Sequence, residues 1–301
     1  MIWQVERPEN GRHRMADSVR EFGHRMLDEG SLGKDEAAVR ARHAYYHLVY
    51  AQEHQGDYDA LAREFPDIMA GFEYVSAEET WDDEAVRAYA WAMDRFLSTQ
   101  GYLDERLRWM QVAGIACENL GDQAGLAATY NHIGRVHNAR GEFREALEWY
   151  KKDLSISEGL EDRAGLATTY NNIGAVHAAL GMYQEALEWY GKGVAIQQEL
   201  GNRVGLAATC NSIGLIHAAI GVYEEALAWY EKAAVVQREL GNRAGLAMTY
   251  SNIGRALADQ GRLTSSLVAL EKSLALCRKL GLSHQVMAVE GTIREVRQQM
   301  G

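Results

Sequence analysis

An asparagine recurs at forty-residue intervals in this chain, at Asn131, Asn171 and Asn211, with Ser251 at the next interval. A primary amide carries both a donor and an acceptor, which suits it to holding the backbone of an extended peptide without reading its sequence. Further along come Arg135, Ala175, Leu215 and Arg255, then Asn138, Ala178, Ala218 and Ala258, all with the same period. Those sets place cationic ends around a smaller, more apolar middle, and they predict a partner with acidic and apolar groups. The candidate binding residues are therefore Asn131, Arg135, Asn138, Asn171, Asn211, Ser251 and Arg255. The same amides fit two other uses, a solvated polar face or hydrogen bonds between neighbouring helices, and spacing alone does not separate the three.

Other reactive side chains are less promising. His137, His177 and His217 form a ladder, but packed helices lie roughly 8–10 Å apart. That is too far for neighbouring rungs to share an ion held at about 2 Å. His43 and His47 are spaced to chelate one ion from a single helix face, yet Ala44 stands where a zinc peptidase would carry its glutamate base. Gly30-x-x-Gly33-Lys34-Asp35 has the wrong spacing for a phosphate loop and lacks the hydroxyl that would reach magnesium. Trp109, Trp149, Trp189 and Trp229 recur at forty and read as a widened buried stripe rather than a partner's ladder. No nucleophile–base set or metal quartet converges, so no catalytic residue, metal or cofactor is expected.

These residues must be positioned by a repeated unit. The frame Tyr130-x-x-Ile133-Gly134-x-x-His137, then Gly141, Phe143, Ala146 and Tyr150, recurs at Tyr170, at Cys210 and, more weakly, at Tyr250. Fixed-period self-similarity means stacked supersecondary units, for which binding is the default function. Asp122, Asp162, Asn202 and Asn242 sit where helix N-caps belong. Gly141 and its counterparts stop each first helix, and Gly121, Gly201, Gly241 and Gly281 mark stops before the next cap. Gly134, Gly174, Gly214 and Gly254 fall inside first helices and predict close approach of the paired helix. Each unit reads as a helical hairpin.

The pattern resembles the tetratricopeptide repeat, whose signature pairs an aromatic, a Leu-Gly, a Tyr, and then Ala with an aromatic four residues on. That repeat is usually 34 residues and ends in proline; here the period is forty, and Glu158, Gln198 and Arg238 stand in the proline's place. Long-helix versions are similar to those of kinesin light chain, spindle-orientation adaptors and bacterial regulatory sensors. The resemblance implies an all-α, right-handed superhelix, an α-solenoid whose first helices line the concave groove. It also implies lengthened second helices, and similar asparagines in such adaptors hold peptide backbones.

The register extends outward, giving four repeats over 121–281, degenerate hairpins over 31–120 and a C-terminal capping helix over 282–301. Residues 1–30 leave the pattern: Ile2–Glu6 and Arg12–Met15 read as two short strands around Asn10-Gly11. The stretch from Arg12 to His54 resembles the join in signal-transduction ATPases with numerous domains, where a winged helix passes into helical sensor repeats. On that resemblance, 1–30 is a winged-helix-like remnant and the chain is the sensor arm of a bacterial signalling ATPase, with a nucleotide-binding domain upstream. Without it, 1–30 is an irregular cap on a free-standing scaffold adaptor; a small-molecule receptor is the remaining alternative.

A net charge of −11 excludes nonspecific nucleic-acid or anionic-membrane binding, which need basic surface. No apolar run reaches the length of a membrane span. Cys117, Cys210 and Cys277 are odd in number and mid-helix, which predicts buried thiols in a cytoplasmic protein. The two prolines, Pro8 and Pro66, fit long unbroken helices. The expected partner is a protein or peptide.

Overall fold

The computed structural model of the chain describes residues 36–300. The strands and winged-helix remnant expected over 1–30 lie outside them. Among the described residues every regular element is helical: thirteen α-helices and one 3₁₀ turn at Glu78–Thr80. They fall into two compact units that divide between Thr129 and Tyr130.

The first unit holds α1 (Glu36–Glu53), α2 (Tyr58–Val75), α3 (Asp83–Gln100) and α4 (Leu103–Leu120). Helices α1 and α2 pair, as do α3 and α4, and α1 also touches α3. The core is aromatic. Trp109 is fully buried and stacks on Phe72 with ring centroids 4.0 Å apart, while Tyr89 meets both rings edge-on. Trp109 is thus not the exposed start of a ladder. Below it Arg106, 2% exposed, donates to Asp94 at 2.6 Å, so a buried guanidinium has a matching carboxylate. Pro66 lies within α2 instead of ending it. Both Pro66 and Ala62, whose carbonyl the ring would orphan, are exposed, so water can complete that carbonyl.

The second unit continues α5 (Gln123–Ala139) and holds α6 (Phe143–Gly159), α7 (Arg163–Ala179), α8 (Tyr183–Glu199), α9 (Arg203–Ala219), α10 (Tyr223–Glu239), α11 (Arg243–Asp259), α12 (Leu263–Lys279) and α13 (Ser283–Met300). From α5 to α12 each helix has 17 residues. Three-residue joints make up the forty, so the period is divided evenly between the two helices of a unit and is not concentrated in the second. The predicted caps form: Asp162, Asn202 and Asn242 each accept from the backbone N–H three residues on, at 3.0, 3.0 and 2.9 Å.

Packing follows the signature residues. A Cβ added at Gly214 would lie 2.6 Å from the Tyr230 ring, and one at Gly174 would lie 2.9 Å from Tyr190. Each second-helix tyrosine therefore fills the space its partner glycine leaves. The next first helix closes the pocket: Ala146 and Tyr150 pack on Ile173 and Val176, and Ala186 and Tyr190 on Ile213 and Ile216. Helix α13 covers the final hairpin by packing Val289, Ile293 and Val296 around Leu270. Arg163 pairs with Glu199 and Arg203 with Glu239, linking successive joints, though such exposed pairs contribute little.

One joint breaks the pattern. Gly201 and Gly241 hold φ of 64° and 66°, whereas the equivalent Glu161 holds 54° with a side chain. A non-glycine residue there costs about 1–2 kcal/mol, and glycine returns about 0.4–1 kcal/mol of that through the unfolded chain. Glu161→Gly is therefore expected to stabilise the unit by roughly 1 kcal/mol, read as a higher urea midpoint at unchanged slope. A lower midpoint would refute this account of the joint.

Candidate functional site

In the second unit the first helices α5, α7, α9 and α11 recur at one spacing, so equivalent residues align from helix to helix. The residues left open on each lie at i, i+4, i+7 and i+11 of one helical face. On α7 these are Thr168, Asn172, Ala175 and Ala179; on α9 they are Ala208, Ser212, Leu215 and Ala219. On α11 they are Met248, Asn252, Arg255 and Asp259, and on α5 the strip includes His132, Arg135 and Ala139. Leu215 on α9 is 49% exposed, so an apolar side chain is accessible between the end helices, and Met248, 56% exposed, lies on the end helix α11. Arg135 and Arg255 are exposed, and neither forms an ion pair among the described residues. In that row Arg135, Leu215 and Arg255 are exposed and Ala175 is half-buried.

The asparagine ladder sits one position behind that strip. Asn131 is 9% exposed and Asn211 4%. Asn131 Nδ2 donates to Asp153 Oδ2 at 2.8 Å and approaches Thr169 Oγ1 at 3.3 Å, while its Oδ1 accepts from Asn172 Nδ2 at 3.0 Å. Asn211 Nδ2 donates to Thr249 Oγ1 at 2.9 Å, and Thr249 donates in turn to Gln237 Oε1 at 2.7 Å. Of the uses left open by the sequence, these two amides take the helix-to-helix one. The reason is angular: a residue directly after the packing aromatic lies about 100° round the helix from it, which here faces the neighbouring repeat. Asn138, Asn171 and Ser251 are half-buried, and the Asn171 carbonyl is buried against Gly193 without a donor.

The network rests on residues the asparagine pattern did not reveal. Thr169, Thr209 and Thr249 are buried, and each hydroxyl bridges helices. Their signal was in the sequence, an identical threonine immediately before the opening residue of every copy. Asp153, 2% exposed, accepts from Asn131, Thr169 and, at 2.9 Å, Ser157. Burial pushes its carboxyl above the usual range, and those three donors act against the shift. Gly193 and Ala233 stand at the equivalent positions of the next two repeats, so the buried carboxylate belongs to one repeat alone.

A second row pairs lysines with aromatic rings. Lys152, Lys192 and Lys232 lie 3.8, 4.0 and 4.1 Å over the Trp149, Trp189 and Trp229 rings, and Lys272 lies 5.5 Å over Tyr250. The tryptophans are half-buried, with their outer faces covered by these ammonium groups. The histidine ladder does not gather into a site: His137 Nδ1 meets Glu142 at 2.6 Å, and His177 Nδ1 meets the Ile173 carbonyl at 2.8 Å. The three cysteines are buried and free. Among the described residues no helix is long and apolar enough to cross a membrane.

The sequence model of a family described as tetratricopeptide repeat matches residues 125–199 and 205–279. No curated protein matches the chain significantly. Among solved structures, NprR in complex with its cognate peptide NprX is similar over 97% of this chain and 86% of that one, at 13% identity and a TM-score of 0.64. A Rap protein complexed with competence and sporulation factor is similar over 97% and 88%, at 15% identity and a TM-score of 0.60. A signal-transduction ATPase with numerous domains and a tetratricopeptide-repeat sensor, from Pyrococcus horikoshii, is similar over 85% of this chain but 42% of that one, at 14% identity and a TM-score of 0.62. At these identities the likeness is one of fold.

Proposed function

Because this chain belongs to the tetratricopeptide-repeat family, we propose that it is a non-catalytic module that binds an extended protein segment along the open strip of α5, α7, α9 and α11. The observation that carries this reading is the strip itself: two exposed arginines outside any ion pair, with amide and hydroxyl groups and an accessible apolar side chain between them. Asn172, Ser212 and Asn252 are the strip's own backbone-binding groups. Arg135 and Arg255 receive acidic side chains at the two ends, with Asn138, Asn171 and Ser251 at its edge, while Asn131 and Asn211 hold the helices from behind. Adjacent helix axes lie on the order of 10 Å apart, so three steps between the arginines correspond to roughly nine extended residues at about 3.4 Å each. A preformed surface keeps the ordering cost on the partner's side only.

The finer role we infer is the ligand-sensing arm of a larger signal-transduction ATPase of bacterial type, acting in the cytoplasm. Its nucleotide-binding domain would read occupancy of the strip. The fold likeness to the Pyrococcus ATPase supports it, although this chain spans 42% of that protein. Occupancy would shift such an ATPase only by its differential affinity for the two states. A free-standing peptide receptor is the second reading, favoured by coverage of 86% and 88% of NprR and the Rap protein.

A displayed library of random peptides, panned on the wild type and on Arg135→Glu/Arg255→Glu, tests the strip. Enriched peptides are expected to carry acids on either side of an apolar centre. They should bind the variant about tenfold more weakly, equivalent to roughly 1.4 kcal/mol. Both arginines are exposed, so melting should move by less than about 0.5 kcal/mol. Equal binding by both proteins would sink the assignment of the strip.

A further inference from the structure

We propose that His43 and His47 on α1, with Asp67 on α2, form a binding site for a divalent transition metal of the zinc type. The nearest ligand atoms of the three side chains all lie within 4.8 Å of one another. His43 Nε2 and Asp67 Oδ1 are 3.4 Å apart. Two ligands held at about 2.0–2.1 Å on a tetrahedral ion stand roughly 3.4 Å from each other, so this pair already has the separation a shared ion imposes. The two imidazole rings follow at one helical turn, their centroids 4.4 Å apart and tilted by 50°. Little rearrangement separates this cluster from a chelate.

The cluster is also largely buried. Asp67 is 9% exposed and His47 1%, on the inner side of the first hairpin. One dication would be held by the two imidazoles and the carboxylate together. Two nitrogens and one oxygen match zinc, cobalt or nickel and are wrong for calcium or magnesium, which take oxygen ligands. Three protein ligands leave a fourth position for water. The ion would tie α1 to α2, so its binding energy becomes folding energy of that hairpin.

The test uses the full chain without an affinity tag. Cobalt chloride serves as the visible-absorbing probe, with zinc chloride competing against it. One ion per chain is expected, with the d–d spectrum of low-coordinate cobalt and a raised melting temperature. His43→Ala, half-buried and therefore tolerable to the fold, should weaken zinc by about 100-fold or more, since even supporting partners of metal ligands are worth about 10–100-fold. Asp67→Asn should weaken it in the same direction. His43→Cys should keep the ion and add a thiolate-to-cobalt band in the near ultraviolet, a signature that mere loss of packing cannot produce. His137→Ala, a histidine elsewhere, should leave affinity unchanged. Binding that survives His43→Ala undiminished, or no binding at millimolar zinc by a folded wild type, would overturn the site.

Discussion

Tyr230→Ala is expected to destabilise the repeat array by about 3–5 kcal/mol, the range for truncating a large buried aromatic. Tyr230 is 1% exposed and lies in a cluster with Ala226, Leu227, Ala256, Leu257 and Ala269. Its hydroxyl is pushed up to about 12, chiefly by burial, with Arg255 acting the other way. Because each unit leans only on its neighbours, the loss should appear as early amide exchange over α9–α12. The partner change carries the sharper information. Gly214→Ala gains about 1 kcal/mol of helix propensity, but its methyl would sit 2.6 Å from the ring, and overpacking costs about 1–3 kcal/mol. In the Tyr230→Ala background the obstacle is gone, so the same alanine should become neutral or stabilising. That reversal of sign in a double-mutant cycle is the expected result. Additive effects would mean that the glycine and the tyrosine are not fitted to each other.

Asn131→Ala is expected to lose about 2–3 kcal/mol at neutral pH, because it takes a donor from a buried carboxylate. Asn171→Ala, one repeat later, should change stability by less than about 0.5 kcal/mol, since its buried carbonyl has no donor to lose. The pH dependence follows from Asp153. Its folded pKa is raised, so the folded state binds the extra proton, and the wild type loses stability as pH rises from the usual carboxylate value of about 3.9 through the folded value. Asp153→Asn should abolish that fall. Removing Asn131 removes an interaction that lowers this pKa, so the penalty of Asn131→Ala should shrink as pH falls through the raised folded value and the carboxyl takes up its proton. Thermal melts of the three variants at both ends of this window measure it. A penalty independent of pH would refute the carboxylate's part. Binding experiments built on the asparagines would therefore confuse lost stability with lost contact, which is why the strip is tested through Arg135 and Arg255.

The hairpins were legible because their determinants are local. A forty-residue period, an N-cap before each first helix and a glycine after it are read within a few residues of where they act, and Asp162, Asn202 and Asn242 cap as expected. The close approach at Gly214 was equally legible, since only a missing side chain explains a costly glycine inside a helix. Which polar residues face the groove was not legible. Asn131 and Asn172 are neighbours in pattern, yet Asn131 is buried in a network drawn from three helices, while Asn172 reaches it from the half-buried edge of the open strip. A rotation of one residue in the helical wheel decides it, and packing of the next repeat sets that rotation. Asp153 and Thr169 became its partners only because stacking carried them there. In the same way, the pairing of α1 with α2 sets Asp67, twenty residues beyond His47, beside the two histidines. The sequence by itself determined the units, their caps and their stacking order through contacts close along the chain. Only the tertiary structure decided which side chains meet between helices, because that depends on the relative rotation of helices and on burial summed over three of them at once.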